Sequence, residues 1–150
     1  MLKYLSLIKF SHTIFALPFA IIGFTLASVS FPQNFQWKIF VFVLLCMVFA
    51  RSAAMAFNRF IDRKIDIKNP RTAIREIPSG SIKPSSALTF TMINSVFFII
   101  TTFFINEICF YLSPIALLIV LVYSYTKRFT FLCHLFLGLG LSLAPIGAYL

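Results

Sequence analysis

The sequence predicts an all-α integral membrane protein, from its composition, the length of its apolar segments and the placement of its charges. Hydrophobic residues make up 60% of the 150 residues and charged residues only 11%, whereas soluble domains have roughly 45–50% and about 25%. Thirteen Lys and Arg oppose four Asp and Glu, for a net charge of +9. Because the basic residues lie between apolar segments, we interpret this charge as a topology signal plus an anion site, and we expect no nucleic acid partner.

Five apolar segments are candidates for transmembrane helices, because a spanning helix needs about 20 mainly apolar residues. They cover approximately residues 10–30, 38–57, 85–106, 111–126 and 131–150. In the fourth segment, Ser113 and Pro114 are interpreted as a helix N-cap followed by a first-turn proline. No linker or internal repeat divides the chain, so residues 1–150 are predicted to form one transmembrane region. The fifth segment runs to Leu150 without a polar flank, which suggests a truncated reading frame.

The basic residues alternate between successive connections of the five segments. The Lys and Arg counts are two before the first segment and then one, seven, none and two. By the positive-inside rule, the N-terminus, the long loop after the second segment and the loop near residues 127–130 face the cytoplasm. The sequence therefore predicts a protein of the cell inner (cytoplasmic) membrane, lying in the lipid bilayer with its active-site loops cytoplasmic.

A polar ladder marks the cytoplasmic end of the second segment. Asn58, Asp62 and Asp66 follow one another at intervals of four residues, which places them on one helical face about one turn apart. Arg51 lies seven residues before Asn58 and shares that face, inside the membrane segment, where an arginine is costly and usually functional. Two carboxylates so placed suit Mg²⁺, which takes its other ligands from water and phosphates. The alternative is a solvated helix end neutralised by nearby basic residues.

Two further clusters lie on the same predicted side of the membrane. The loop after the ladder carries Arg71 and Arg75 between Pro and Gly residues, and arginine binds phosphate oxygens bidentately. A loop that is basic only because it is cytoplasmic is an equal alternative. Tyr123 and Lys127 lie four residues apart at the end of the fourth segment. By themselves they favour an interfacial aromatic belt with a basic flank.

Taken in order, these motifs resemble those of the UbiA superfamily of membrane prenyltransferases, in its 4-hydroxybenzoate polyprenyltransferase-like branch and over the N-terminal half only. The first helix resembles the family in Ser11-His12-Thr13 and Ala16-Leu17-Pro18-Phe19-Ala20, and the first aspartate-rich motif is Asn58-x-x-x-Asp62-x-x-x-Asp66. The loop that follows matches in Asn69-Pro70-Arg71-Thr72 through Arg75 and in Pro78-Ser79-Gly80. The tyrosine–lysine motif is Tyr123-x-x-x-Lys127.

The resemblance implies a fold and a set of roles. The fold would be the first half of a bundle of about nine transmembrane helices around a cavity open toward the lipid, with about five helices in this chain. The implied roles are catalysis for Asn58, Asp62, Asp66 and Tyr123, with Mg²⁺ bound by Asp62 and Asp66; diphosphate binding for Arg71, Arg75 and Lys127; and binding of an aromatic carboxylate for Arg51.

The chain departs from the family pattern in two places. Many members have an aspartate directly after the asparagine, where this chain has Arg59, and no segment here corresponds to the second aspartate-rich motif of the later half. The resemblance implies a Mg²⁺-dependent enzyme of ubiquinone or menaquinone biosynthesis, whose substrates are a polyprenyl diphosphate and 4-hydroxybenzoate or a related aromatic acid. The alternatives are a non-catalytic truncated remnant and, less favoured because transport sites usually lie near the bilayer midplane, a small membrane transporter.

Overall fold

The regular structure of this protein is helical wherever its residues are described. The computed structural model describes residues 2–9, 14, 17–32, 36–126, 129 and 133–150. In chain order the helices are α1 (Leu2–Leu7), α2 (Leu17–Ser30), α3 (Trp37–Asp66), α4 (Pro70–Ala73), α5 (Pro84–Phe103), α6 (Glu107–Thr126) and α7 (Cys133–Tyr149). The expected all-α class is confirmed.

Three of the described helices, α3, α5 and α6, are long and apolar enough to cross a membrane. Helix α2 and residues Gly138–Tyr149 of α7 are also apolar but shorter. Large apolar side chains are exposed along all five of these helices, including Val29, Val41, Phe97, Leu118 and Leu141. An apolar surface of this extent is what the hydrocarbon of a bilayer covers. The exact number of helices that span the bilayer stays a prediction.

Helix α3 is the centre of the bundle, because it contacts every other helix named above. Its most extensive contact is with α5, where Ala56 of α3 and Ala87 of α5 are fully buried in one apolar cluster. Alanine is small enough to let two helix backbones approach closely, which is the usual way in which helices pack within membranes. The cluster also contains Leu7 of α1 and Ile77 and Ile82 of the loop before α5.

Helices α2 and α7 approach each other more closely than side chains would allow. A Cβ atom added to Gly23 would lie 2.4 Å from the carbonyl oxygen of Pro145 and 2.9 Å from its Cα. Glycine is therefore required on α2 at this contact. Pro145 lies inside α7, and its own backbone forms the surface on which α2 rests.

Polar side chains within the apolar helices bond to their own backbone. The hydroxyl of Thr91 donates to the Ala87 carbonyl at 3.0 Å, and the amide of Asn94 donates to the Phe90 carbonyl at 2.8 Å. Such local bonds satisfy polar donors where water is excluded. Polar residues in these helices therefore need not mark a functional site.

The interpretation of Ser113 as a helix N-cap and of Pro114 as a first-turn proline is wrong. Helix α6 begins at Glu107, and the side-chain oxygen of Asn106 accepts a hydrogen bond from the backbone nitrogen of Cys109 at 2.7 Å. Pro114 lies inside the helix and has no N–H to offer the carbonyl of Phe110. The hydroxyl of Ser113 donates to that carbonyl at 2.8 Å, which is why the helix continues through the proline.

The contact between α2 and α7 predicts a specific stability effect. Gly23→Ala should lower the free energy of unfolding by about 1–3 kcal/mol, the typical cost of overpacking, because the new methyl group meets backbone atoms of Pro145. Gly138→Ala is the matched control, since no atom lies within 4 Å of its added Cβ. Thermal unfolding in detergent, followed by circular dichroism, measures both variants. A midpoint for Gly23→Ala equal to or above that of the wild type would contradict the close contact.

Candidate active site

A cavity of about 650 Å³ lies among α2, α3, α5, α6 and α7. Its volume falls within the roughly 300–1,000 Å³ of ligand pockets in proteins. The wall is mainly apolar, and its conspicuous polar groups are Arg51 and Asn58 from α3 and Tyr123 and Ser124 from α6. The cavity therefore suits an apolar ligand that also carries a polar or anionic group.

The polar ladder lies along one unbroken helix. Because α3 continues from Trp37 to Asp66, Asp62 and Asp66 lie ~6 and ~12 Å beyond Asn58 along the axis, at ~1.5 Å per residue. Arg51 lies about 10 Å from Asn58 in the other direction, and its Nε is buried without a hydrogen-bond partner within the described ranges. An anion that enters the cavity would find this donor open.

Asp66 forms a buried ion pair with Arg75 at the end of the ladder. It is 6% exposed, and Nη1 of Arg75 donates to Oδ1 at 2.8 Å and to Oδ2 at 2.9 Å. The carboxylate is desolvated, so the loss of its cation would leave a buried charge unpaired. The structure thus joins a predicted metal ligand to a predicted diphosphate ligand. A metal ion at Asp66 would have to compete with Arg75.

The segment after α3 folds back on the helix end. The side-chain oxygen of Asn69 accepts a hydrogen bond from the backbone nitrogen of Arg71 at 3.0 Å, so Asn69 caps α4, and Pro70 is the first residue of that helix. The hydroxyl of Thr72 donates to the carbonyl of Asp66 at 2.9 Å. These bonds reverse the chain within one turn and return it to the carboxylates.

The contact between Ser6 and Glu76 is a feature that the sequence did not predict. The hydroxyl of Ser6 in α1 donates to Oε1 of Glu76, while Oε2 is buried without a hydrogen-bond partner in the described part of the chain. Leu7 is fully buried against Ile77 and Ile82, so α1 packs on the loop that carries the arginines. The chain has only four acidic residues, and this scarcity was the one feature of the sequence that could have drawn attention to Glu76.

The remaining predicted site residues differ in their burial and in whether they line the cavity. Asp62 is half-buried on the ladder, Arg71 is exposed in α4, and Tyr123 lines the cavity near the end of α6. Lys127 lies outside the described residues, as does most of the first-helix motif at residues 11–16. For Lys127, the phosphate contact therefore stays a prediction.

The donor set at the ladder is suited to Mg²⁺ that arrives with phosphate. No group of three or more His, Cys, Asp or Glu side chains that could hold a metal ion is found within the described ranges. Asn58, Asp62 and Asp66 offer the oxygen donors that Mg²⁺ prefers, and one or two carboxylates suffice when substrate phosphates supply further ligands. The chemistry of these residues fits a shared metal–phosphate site.

The fold and the site together define an integral membrane protein that is a helical bundle with an inner cavity. One of the helices that line the cavity, α3, continues to two acidic residues and is followed by a basic loop. The sequence pattern of the UbiA prenyltransferase family matches residues 16–150. The chain belongs to this family, as its motifs indicated.

Two relatives illustrate what the family contains. A 4-hydroxybenzoate octaprenyltransferase of Aliivibrio fischeri is 36% identical over 114 residues, which are 76% of this chain and 40% of that protein. A protoheme IX farnesyltransferase of Bdellovibrio bacteriovorus is 42% identical over 84 residues, which are 56% of this chain and 28% of that protein. The chain thus spans about 40% of the length of the 4-hydroxybenzoate octaprenyltransferase it matches.

Solved structures show the same fold. A UbiA homolog from Aeropyrum pernix aligns with a TM-score of 0.84 and 33% identity, over 92% of this chain and 49% of that one. A digeranylgeranylglyceryl phosphate synthase aligns with a TM-score of 0.86 over 97% of this chain and 51% of that one, but at 24% identity this likeness shows the fold alone. The present helices therefore correspond to about half of each solved bundle.

The ion pair at the end of α3 predicts a coupled stability effect. Arg75→Gln should lower the free energy of unfolding by ~1–2 kcal/mol, less than the 3–5 kcal/mol of a fully buried pair because Arg75 is partly exposed. Asp66→Asn combined with Arg75→Gln should recover part of this loss, since no buried charge is then left unpaired. Arg71→Gln, in the same loop but exposed, is the control. Strictly additive effects in a double-mutant cycle would show that the pair is not coupled.

Proposed function

We propose that this chain forms part of a prenyltransferase that moves a polyprenyl group from its diphosphate to an aromatic acid. One observation carries the proposal: α3 presents Arg51 and Asn58 to an apolar cavity and continues to Asp62 and Asp66, where the following loop returns Arg75. A substrate with a long apolar tail and a diphosphate head matches an apolar cavity that lies next to carboxylates and arginines.

Each group has a distinct task in the proposed reaction. Asp62 and Asp66 would hold Mg²⁺, which supplies charge neutralisation of the departing diphosphate. Arg71, Arg75 and Lys127 would bind diphosphate oxygens through charge-assisted hydrogen bonds. Within the cavity, apolar walls exclude water from the allylic cation, and Tyr123 would flank its reactive carbon.

Arg51 favours an aromatic acid as the acceptor. Its Nε is an open donor in the apolar cavity, and a guanidinium group there matches a carboxylate in charge and in planar geometry. The 4-hydroxybenzoate octaprenyltransferases among the relatives support this choice. Under this proposal the reaction belongs to ubiquinone or menaquinone biosynthesis. Under this proposal the protein lies in the cell inner membrane, with the N-terminus and the basic loop cytoplasmic, as the distribution of Lys and Arg predicts.

The second candidate acceptor is a porphyrin-derived one, suggested by the protoheme IX farnesyltransferase relative. A non-catalytic remnant is the third possibility. Membranes that contain this chain, alone and together with the part of the Aliivibrio fischeri protein outside the matched region, should be assayed with radiolabelled polyprenyl diphosphate and either acceptor. Transfer to 4-hydroxybenzoate supports the proposal, transfer to haem only favours the second candidate, and no transfer in any combination supports the remnant.

In the active combination, Asp62→Asn should lower the rate of prenyl transfer at least ~100-fold, in line with the loss of one group that stabilises transition-state charge. An amide is a much poorer Mg²⁺ ligand than a carboxylate, while the polarity of the site is kept. Glu107→Gln makes the same chemical change at an exposed acid of another helix and should leave the rate unchanged. A rate for Asp62→Asn within a few-fold of the wild-type rate would contradict the metal-binding role and favour the alternative that the ladder is a solvated helix end.

Arg51→Gln should raise the KM for 4-hydroxybenzoate by ~10-fold or more, the value of one or two hydrogen bonds to a charged group, and leave the KM for polyprenyl diphosphate unchanged. The reason is position, because Arg51 lies about 10 Å from Asn58, on the side away from the carboxylates. Steady-state kinetics with each substrate varied in turn separates the two effects. The reverse pattern would reassign Arg51 to the diphosphate.

A further inference from the structure

We propose that Arg59 is an additional ligand of the diphosphate, through an open guanidinium group that lies beside the carboxylates. The inference rests on the proposed function, because it assumes that a diphosphate binds at the end of α3. It assigns a role to the residue at which this chain departs from the pattern of its family.

Arg59 is largely buried, and no hydrogen-bond or ion-pair partner is found for it among the described residues. The residue is only 6% exposed, yet neither a hydrogen bond nor an ion pair within 4.0 Å is found for it in the described part of the chain. Arg63, one turn further along α3, shows the contrast: its Nη1 donates to the Phe60 carbonyl at 2.6 Å, and its guanidinium carbon lies 4.2 Å from the centroid of the Phe60 ring. Removing a guanidinium group from most of its water is costly unless an anion satisfies its donors.

Asp66 does not supply that anion, and Glu76, whose Oε2 is buried without a hydrogen-bond partner among the described residues, forms no ion pair with Arg59 within 4.0 Å. The electrostatic neighbours of Arg59 are Arg75, which repels it, and Glu76, Asp66 and Asp62, which attract it. Both oxygens of Asp66 already accept hydrogen bonds from Arg75. Arg59 therefore lies beside an ion pair that is complete without it.

The position of Arg59 on α3 fits contact with a diphosphate. It follows Asn58 by one residue, so it is rotated by about 100° from that residue, and Asp66, seven residues on, projects in nearly the same direction as Arg59. Arg75 reaches this end of the helix from the following loop. A diphosphate that contacts Arg75 would therefore lie near Arg59, whose planar donors suit phosphate oxygens.

This placement has a consequence for metal dependence. A fixed cation at the site provides positive charge that would otherwise come from bound Mg²⁺. We therefore expect inorganic diphosphate to bind to this chain even without divalent metal, and we expect that binding to depend on Arg59.

The test is calorimetric titration of the purified chain in detergent with inorganic diphosphate, in EDTA and again in Mg²⁺. Arg59→Gln should weaken binding in EDTA by ~10-fold or more, as expected for lost charge-assisted hydrogen bonds, and should weaken it less in Mg²⁺. Lys64→Gln is the matched control: it removes one positive charge from the same helix, in the last turn of α3 and at an exposed position, and should leave the affinity unchanged.

The outcomes separate the inference from the proposed function. Equal affinities for Arg59→Gln, Lys64→Gln and the wild type in EDTA would overturn the role of Arg59 while the diphosphate site stands. No binding of diphosphate to the wild type in either buffer would contradict the proposed function and this inference together. If thermal unfolding shows that Arg59→Gln is not folded, Arg59→Lys decides, since it keeps the charge but loses the planar donors: a several-fold weaker affinity supports the proposal, and wild-type affinity overturns it.

Discussion

The ion pair between Asp66 and Arg75 is the interaction on which the candidate site depends. It joins the last residue of α3 to the loop that follows, and the buried carboxylate makes the pair costly to break. The cap at Asn69 and the bond from Thr72 to the helix end set the path of the loop that bears Arg75. Basic residues of the loop are therefore held near the acids, although mutual repulsion among the cations would otherwise spread them.

The site and the apolar bundle are linked through α3. The same helix packs against α5 through small residues, lines the cavity through Arg51 and Asn58, and ends at the carboxylates. Other polar residues in the membrane helices, such as Thr91 and Asn94, bond to their own backbone. Arg51 differs from them, because its Nε is buried without a hydrogen-bond partner among the described residues.

The family relation establishes the fold, whereas the relatives differ in the acceptor that their names give. Relatives at similar identity include both a 4-hydroxybenzoate octaprenyltransferase and a protoheme IX farnesyltransferase. Both names describe the transfer of a prenyl group, but the acceptor differs between them. The proposed choice of an acid as the acceptor rests on Arg51, which lines the cavity.

The sequence by itself determined the features that depend on local spacing. The length of the apolar segments gave the all-α class, and intervals of four and seven residues placed Arg51 and Asn58 on one side of α3, because helical periodicity is a property of the backbone. Tertiary structure decided the rest. The pairing of Asp66 with Arg75, the bond from Ser6 to Glu76 and the burial of Arg59 each depend on how loops and helices meet in space. Ser113 and Pro114 were misjudged as a helix start because the compensation of Pro114 by the hydroxyl of Ser113 is a side-chain contact that residue preferences do not reveal.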